Sequence, residues 1–384
     1  MRIHFMGVKG SGVAGVASLA SKMGYEVSGC DLEDGGHSPD HLKDVDLLVV
    51  TPAVYWQNAK HPEMTRAKKV MTWQEFLGKV LLKDKKVIAI AGTHGKSTTT
   101  AMVAKLLSDC GFDPIAMAGA YVLEWGGNSR FGKGEYAVVE ADEFNDNFLN
   151  YSPEIAIINN IEFDHPDYFK SEEQVRESFA KFKKQSKFII DECPQKRFKL
   201  KVFGEHNQKN ASMVYALGKK LGINEPDMVK SIESFEGIGR RMELILDKNE
   251  IKIYDDYAHH PTAIKTTLEG LREKYPKSRI LAIVEPHGFA RTKALLPKYK
   301  GVFDSVDKVI IGPIFKARDN KTFGMTPKKI AEISKHPNIQ TARNQNELIK
   351  NLKFKIKNYH VVVVMGAGRS NLWAKEIVRL KKPK

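Results

Sequence analysis

The residues best equipped for chemistry are Gly92-Thr93-His94-Gly95-Lys96-Ser97-Thr98, which follow the apolar run Val87–Ala91 and open a helical pattern that runs to Cys110 and stops at Gly111. A strand, a glycine turn and Gly-Lys-Ser at a helix start form a phosphate cradle of the P-loop kind. Backbone N–H groups and the helix N-terminus face the anion, Lys96 reaches the terminal phosphate, and the Ser97 hydroxyl can hold magnesium. Isoleucine occupies position 90, where the longer form of this motif has its first glycine. The placement between strand and helix still points to nucleotide binding.

Two further runs sit where such a cradle needs them. Tyr136–Val139 ends in Glu140-Ala141-Asp142-Glu143, which delivers carboxylates at the carboxyl end of a strand, where ligands gather in open α/β sheets. A hard cation prefers oxygen ligands, so Glu140 is the natural partner of Ser97 and a triphosphate. The run Ile155–Ile158 leads through Asn159-Asn160-Ile161-Glu162-Phe163 to Asp164-His165. By its chemistry alone His165 reads equally as a metal ligand or as a histidine hydrogen-bonded at a strand end. Near the amino terminus, Gly7-Val8-Lys9-Gly10-Ser11-Gly12 lies between a strand and a helix, and Asp31 closes the next strand. Lys9 replaces the glycine that permits close approach of a pyrophosphate. The run therefore reads as a diphosphate-binding turn of a Rossmann-like domain with its ligand open, or as a tight turn only.

These motifs need strands to aim them. Strand-length apolar runs at Arg2–Met6, Asp46–Val50, Val87–Ala91, Tyr136–Val139, Glu154–Ile158, Ile280–Val284, Lys308–Ile311 and His360–Met365 alternate with helical patterns. That alternation predicts parallel sheets covered on both faces. Polar Lys83–Lys86 and glycine-rich Glu236–Gly239 mark the breaks. The expected fold is α/β in three domains: Rossmann-like over 1–84, a P-loop nucleotide-binding domain over 85–237, and Rossmann-like over 238–384. The tail Lys381–Lys384 is expected to fray.

With 384 residues, 42% hydrophobic and 28% charged, the chain is an ordinary multi-domain globular sequence. Its apolar runs are shorter than a membrane-spanning helix needs, and Met1-Arg2 leads straight into a strand-like run, so no cleavable signal peptide is expected. Three scattered cysteines, Cys30, Cys110 and Cys193, show no metal spacing and suit a reducing cytoplasm. Lys and Arg outnumber Asp and Glu by 61 to 46, for a net charge of +15. Without a nucleic-acid module or arginine–aromatic interleaving, a solvated lysine surface is expected and no nucleic-acid partner. Attraction of anionic small substrates is a further reading.

Taken together, Gly92–Thr99, Glu140–Glu143, Asn160–His165, Gly204-Glu205-His206-Asn207-Gln208-Lys209-Asn210, Arg240–Glu243, Tyr254–Pro261 and Met365–Gly368 resemble the Mur ligases of peptidoglycan synthesis, in the right order over nearly the whole chain. The match is nearest to the branch that joins L-alanine to UDP-N-acetylmuramate, and next to the ligase that attaches a recycled peptide to the same sugar nucleotide. The resemblance implies a first domain that binds the UDP end, a central ATPase and a third domain that closes over both with the amino acid. It implies ATP as nucleotide and magnesium, or manganese, as metal. Lys96 would then meet the γ-phosphate, Ser97 and Glu140 one magnesium, and His165 a second. Gly92 to Thr98 with Asn207, Asn210, Arg241 and Asp256 would bind ATP, while Gly10, Ser11, Gly12, Asp31, His287 and Arg291 would bind substrate. His259 joins Lys96, Glu140, His165 and Arg291 as a catalytic candidate. The oligomeric expectation is a monomer or weak dimer.

The chain departs from that pattern twice. The stretch between His165 and Asn207 is short for the family's central domain, and Lys181–Lys201 is a basic segment holding Cys193-Pro194. After Ile283–Pro286 the family pattern His-Arg-aromatic-Thr-Arg-Thr reads His287-Gly288-Phe289-Ala290-Arg291-Thr292. Gly288 removes one arginine suited to a carboxylate, and an arginine fork is hard to replace, so the amino acid is left open. The recycling ligase, or a non-catalytic ATP-binding regulator on the same fold, are the alternatives.

Overall fold

The computed structural model describes residues 1–58, 60–248 and 250–379, so the tail 381–384 lies outside the described residues. Three sheets follow one another along the chain. The first holds β1 (Arg2–Met6), β2 (Glu26–Cys30), β3 (Leu47–Val50) and β4 (Val70–Thr72) in the order β2-β1-β3-β4, all parallel. The second holds β5 (Lys86–Ala91), β6 (Ile115–Val122), β7 (Gly127–Arg130), β8 (Tyr136–Glu140), β9 (Ile155–Ile158) and β10 (Phe188–Ile190), in the order β10-β9-β5-β8-β6-β7. The third holds β11 (Glu243–Lys248), β12 (Ile251–Asp256), β13 (Ile280–Val284), β14 (Lys308–Ile311), β15 (Ile339–Thr341) and β16 (Val361–Met365), in the order β11-β12-β16-β13-β14-β15. The chain thus has a three-domain α/β fold.

Two edge strands depart from the all-parallel expectation. β7 runs antiparallel to β6, and β11 antiparallel to β12. Each follows or precedes its partner through a short turn, which permits only a hairpin, and each is polar enough to stand at an edge with one face toward water. Central strands are apolar on both faces. In the third sheet, Tyr254, Ala282, Val284, Val361 and Val363 pack into one core cluster, while Ile253, Leu281, Ile283, Val362 and Val364 pack into another on the opposite face. Burying each large apolar side chain contributes about 1.5–3 kcal/mol before chain entropy is charged against it.

Contacts group the chain into two compact units that are not continuous in sequence. Met1–Glu162, Glu173–Phe198 and Asn210–Phe235 form the first, with the first two sheets. Phe163–Glu172, Lys199–Lys209 and Glu236–Lys384 form the second, with the third sheet. Inside the first unit, Asn128 Nδ2 donates to the Ser11 carbonyl at 2.7 Å, tying the two sheets' domains together. Inside the second, buried Glu285 at the end of β13 accepts from the backbone N–H groups of Gly368, Arg369 and Ser370, each at 3.0 Å. That carboxylate caps the helix Ser370–Arg379, whose first-turn donors would otherwise lack partners. No helix among the described residues is long and apolar enough to cross a membrane.

Candidate active site

β5 is central in its sheet, paired with β9 on one side and β8 on the other. Its carboxyl end delivers Gly92–Gly95 into the crevice that such sheets keep for ligands. Helix Lys96–Asp109 starts there with Gly95 as its N-cap at φ 82°. Gly92 sits at φ 138°, and a Cβ on it would come 3.0 Å from the Asn160 carbonyl oxygen. A Cβ on Gly95 would stand 2.4 Å from Asn210 Oδ1. The turn therefore has no room for side chains, and its Thr93 N–H already donates to the Asn160 carbonyl at 3.2 Å. Thr93 and His94 stiffen it from the β9 side: Thr93 Oγ1 donates to the Glu162 carbonyl at 3.0 Å, the His94 N–H donates to Asn160 Oδ1 at 2.9 Å, and His94 Nε2 lies 3.1 Å from Glu162 Oε2.

Lys96 Nζ donates to the Gly92 carbonyl at 2.6 Å and to Glu143 Oε2 at 2.8 Å. Burial works to lower the lysine's pKa, but Glu143, Asp142 and Glu140 outweigh it and raise it above its ordinary value. Three carboxylates thus face one ammonium at the end of β8. That excess of hard oxygen donors fits a divalent cation of the magnesium class. Ser97 and Thr98 are buried in the first helical turn. Glu140 accepts from the Gly119 N–H at 2.6 Å. Glu143, quoted in the sequence only as part of a motif, is the ion-pair partner of Lys96 and is 2% exposed.

The amino-terminal turn is built around Asp31, which accepts from the Lys9 N–H at 3.0 Å. Backbone donors from Glu33 and Lys9 hold its carboxyl below the ordinary value. Gly10 caps helix Ser11–Lys22, and a Cβ on Gly12 would lie 2.9 Å from the Trp73 ring. Gly12 therefore has a packing reason of its own.

The second unit gathers a different set. Arg291 binds Asp164 with two nitrogens, Nε to Oδ1 at 2.7 Å and Nη2 to Oδ2. Burial works against the Asp164 carboxylate, yet Arg291, aided by His165 and His260, holds it well below its ordinary value. Next to them, His259 and His287 lie with ring centroids 5.4 Å apart, and His287 stacks on Phe315. Burial, Arg291 and His287 keep His259 well below the ordinary imidazole value, and burial, Arg291 and Arg318 bring His287 to about 4. His259 Nδ1 lies 2.9 Å from the Tyr257 carbonyl. His165 belongs to this unit at φ 53°. Asp164 escaped attention in the sequence because it is a neighbour of the more conspicuous His165.

Asp256, also in the second unit, accepts from the N–H groups of Met242 and Ala258, both at 2.8 Å. Burial raises its pKa despite Arg241, whose guanidinium sits 5.1 Å from the Tyr257 ring centroid. Arg240 is structural: its Nη2 donates to the Gly366 carbonyl at 2.7 Å and Ser370 Oγ at 2.9 Å. The ATP-binding candidates Asn207 and Asn210 belong to different units. Asn207 lies in the second unit and donates to the Phe203 carbonyl at 2.8 Å, whereas Asn210 lies in the first, against Gly95.

Comparison with known proteins agrees with this architecture domain by domain. Residues 2–81 match the model of the Mur ligase family, catalytic domain; residues 90–190 match the Mur ligase middle domain; residues 240–368 match the Mur ligase, glutamate ligase domain. The chain is 30% identical to the UDP-N-acetylmuramate--L-alanine ligase of Desulforapulum autotrophicum, over 95% of each chain. It is 32% identical to the enzyme of that name from Sulfurihydrogenibium, over 96% of this chain and 95% of that one. The solved UDP-N-acetylmuramate-alanine ligase MurC of Thermotoga maritima superposes with a TM-score of 0.81 at 26% identity, covering 99% of this chain and 98% of that one. A murein peptide ligase from Psychrobacter arcticus shares the fold, with a TM-score of 0.69 at 24% identity and the same coverage. With full-length relatives at this identity and each domain model matched in order, the chain belongs to the Mur ligase family.

Proposed function

We propose that this protein is an ATP-dependent ligase that joins L-alanine to the lactyl carboxylate of UDP-N-acetylmuramate, acting in the cytoplasm in peptidoglycan precursor synthesis, as a monomer or weak dimer. The observation that carries the reading is the Gly92–Thr98 cradle with Lys96 held by Glu143, in a chain aligned end to end with curated ligases of that name. In this reading residues 1–84 bind the UDP end through Gly10, Ser11, Gly12 and Asp31. Residues 85–237 bind ATP, and residues 238–384 bind the amino acid through His287 and Arg291.

The chemistry follows from a difficulty. A carboxylate is a poor acyl donor, so the γ-phosphoryl group of ATP moves to a lactyl oxygen and ADP leaves. The amine then attacks the acyl carbon of this acyl phosphate, sheds a proton, and phosphate departs as the amide forms. Positioning and neutralisation of oxyanions are the main catalytic needs. Lys96 exchanges Glu143 for the γ-phosphate. His259 lies beside the Arg291–Asp164 pair as a further catalytic candidate, its imidazole held well below the ordinary value by burial, Arg291 and His287. Arg291 spends two of its five N–H donors on Asp164 and has others to offer an amino-acid carboxylate. A divalent cation, when bound, supplies Lewis-acid neutralisation of phosphate oxygens; Ser97 and Glu140 are the residues to hold one, and His165 a second. Asn207, Asn210, Arg241 and Asp256 complete the proposed ATP contacts.

The test is phosphate release with ATP, UDP-N-acetylmuramate and equal concentrations of L-alanine, glycine, L-serine or L-Ala-γ-D-Glu-diamino-acid tripeptide. L-Alanine is expected to lead, with glycine and L-serine behind, since one methyl group discriminates by only ~1–3 kcal/mol. Turnover with the tripeptide alone would move the protein to the recycling ligase, and turnover with none would end the catalytic reading.

A further inference from the structure

The first domain carries a cluster of donors that neither ATP nor the sugar nucleotide explains. Cys30 closes β2, Glu63 lies on the short helix Pro62–Arg66, His41 on the turn Pro39–Leu42, and His4 in the middle of β1. One donor atom from each lies within 4.8 Å of every other. Glu63 is 0% exposed and His4 2%, while His41 brings the cluster to the surface. Cys30 Sγ stands 3.5 Å from Glu63 Oε1, and His41 Nδ1 stands 3.0 Å from the same oxygen. A tetrahedral zinc, with sulfur at ~2.3 Å and nitrogen or oxygen at ~2.0–2.1 Å, places its donors about 3.3–3.6 Å apart. The Cys30–Glu63 pair has that spacing and the His41–Glu63 pair is a little shorter.

His4 supplies an independent sign. Its Nδ1 lies 2.8 Å from Ser28 Oγ, while its Nε2 is buried with no hydrogen-bond partner. In the tautomer whose Nδ1–H donates to Ser28 Oγ, the lone pair is on Nε2, the orientation that ligating histidines take. An orphaned buried imidazole nitrogen is costly, and a cation would satisfy it; Glu63 itself already accepts from the Ser38 N–H at 2.8 Å. Thiol, imidazole and carboxylate together select a borderline-soft metal over magnesium.

We propose that Cys30, His41, Glu63 and His4 bind one divalent cation of the zinc class. The site braces the substrate turn: the Gly7 and Val8 N–H groups donate to the Cys30 carbonyl at 2.8 and 3.1 Å, and Asp31 follows directly. His37, with Nδ1 3.0 Å from Sγ, remains as a hydrogen-bond partner for the bound thiolate.

The test is a Co²⁺ titration of the full-length, chelator-stripped protein, read by the thiolate-to-cobalt charge-transfer band and the visible bands of tetrahedral cobalt. One equivalent is expected to bind, to be displaced by Zn²⁺ and to resist excess Mg²⁺. Cys30→Ser should lose the charge-transfer band, and His41→Ala, at a half-buried position, should weaken binding at least ~10-fold. Cys110→Ser and Cys193→Ser should retain it. A wild-type protein without the band at saturating Co²⁺, or a band that survives in Cys30→Ser, overturns the site. The readout is spectroscopic, so its failure is separate from failure of the ligase reading.

Discussion

Arg291 and Asp164, 127 residues apart, form a two-pronged ion pair in which both side chains are nearly buried. A pair of this kind costs much to break from one side, because the survivor is left charged in a poor solvent. Asp164→Ala should therefore destabilise the protein by ~3–5 kcal/mol. Adding Arg291→Met should restore part of that loss while amino-acid binding stays impaired. Chemical denaturation of the two single variants and the double variant measures this. Additive losses would mean that the two groups do not depend on each other.

Lys96 and Glu143 set up a similar dependence at the phosphate site. Lys96→Ala should lower kcat by at least ~100-fold, the order lost with one oxyanion donor. It should also destabilise the fold, since it takes the ammonium away from a carboxylate that is 2% exposed. Glu143→Gln in the same chain should return stability without returning activity. Near-normal turnover in Lys96→Ala would refute the phosphate-cradle assignment.

Both pairs show where the sequence stops being informative. The cradle was legible because its residues are adjacent, and central strands such as Ile280–Val284 and Lys308–Ile311 were legible because they are apolar throughout. The antiparallel edges were not, since Gly127-Asn128-Ser129-Arg130 carries no strand-like pattern. Glu143 and Asp164 stood beside more conspicuous residues, and only folding reveals which of several neighbouring carboxylates meets the cation. The cluster of His4, Cys30, His41 and Glu63 is likewise assembled from β1, β2 and two short helical turns, with no ligand spacing to announce it.

Gly288 was read as a lost arginine, and the structure adds a conformational reason for glycine. Its backbone sits at φ 77°, ψ 127°, where it caps helix Phe289–Ala294, and Asp319 accepts from the next N–H groups, those of Phe289 and Ala290. Side chains are strained by roughly 1–3 kcal/mol in such a conformation. Gly288→Arg should thus lower stability by about that amount and should not improve the KM for L-alanine. Thermal melting together with amino-acid titration of the variant checks both parts, and a tighter KM at unchanged melting temperature would refute the argument.

The proposed metal roles separate by titration. Glu140→Gln and His165→Ala should each raise the magnesium concentration needed for half-maximal activity, Glu140→Gln by roughly tenfold or more, because a charged oxygen ligand is lost. An unchanged magnesium titration in His165→Ala would make His165 structural and leave support for one metal only.

The histidines beside Arg291 set a pH dependence whose sign is fixed by their burial. His287 falls from an ordinary 6.5 to about 4 in the folded protein, chiefly through burial and Arg291. A depressed imidazole contributes stability that is complete above the unfolded value and is lost as pH falls through the folded one. The window is therefore about pH 6.5 to 4, and the contribution at stake is at most about 3 kcal/mol. Asp255 acts in the opposite sense. Burial raises it to about 6 against the pull of Arg240, so its contribution is present below its ordinary 3.8 and fades as pH rises through about 6. The two partly offset each other in wild-type protein, and a melting curve against pH will look flatter than either alone. His287→Gln removes one term only, so its stability should decline less on acidification than that of wild type. Asp255→Asn removes the other, and its decline should be steeper. Melting temperatures of the three proteins across the window decide the matter: parallel curves would mean that neither group changes its proton affinity on folding.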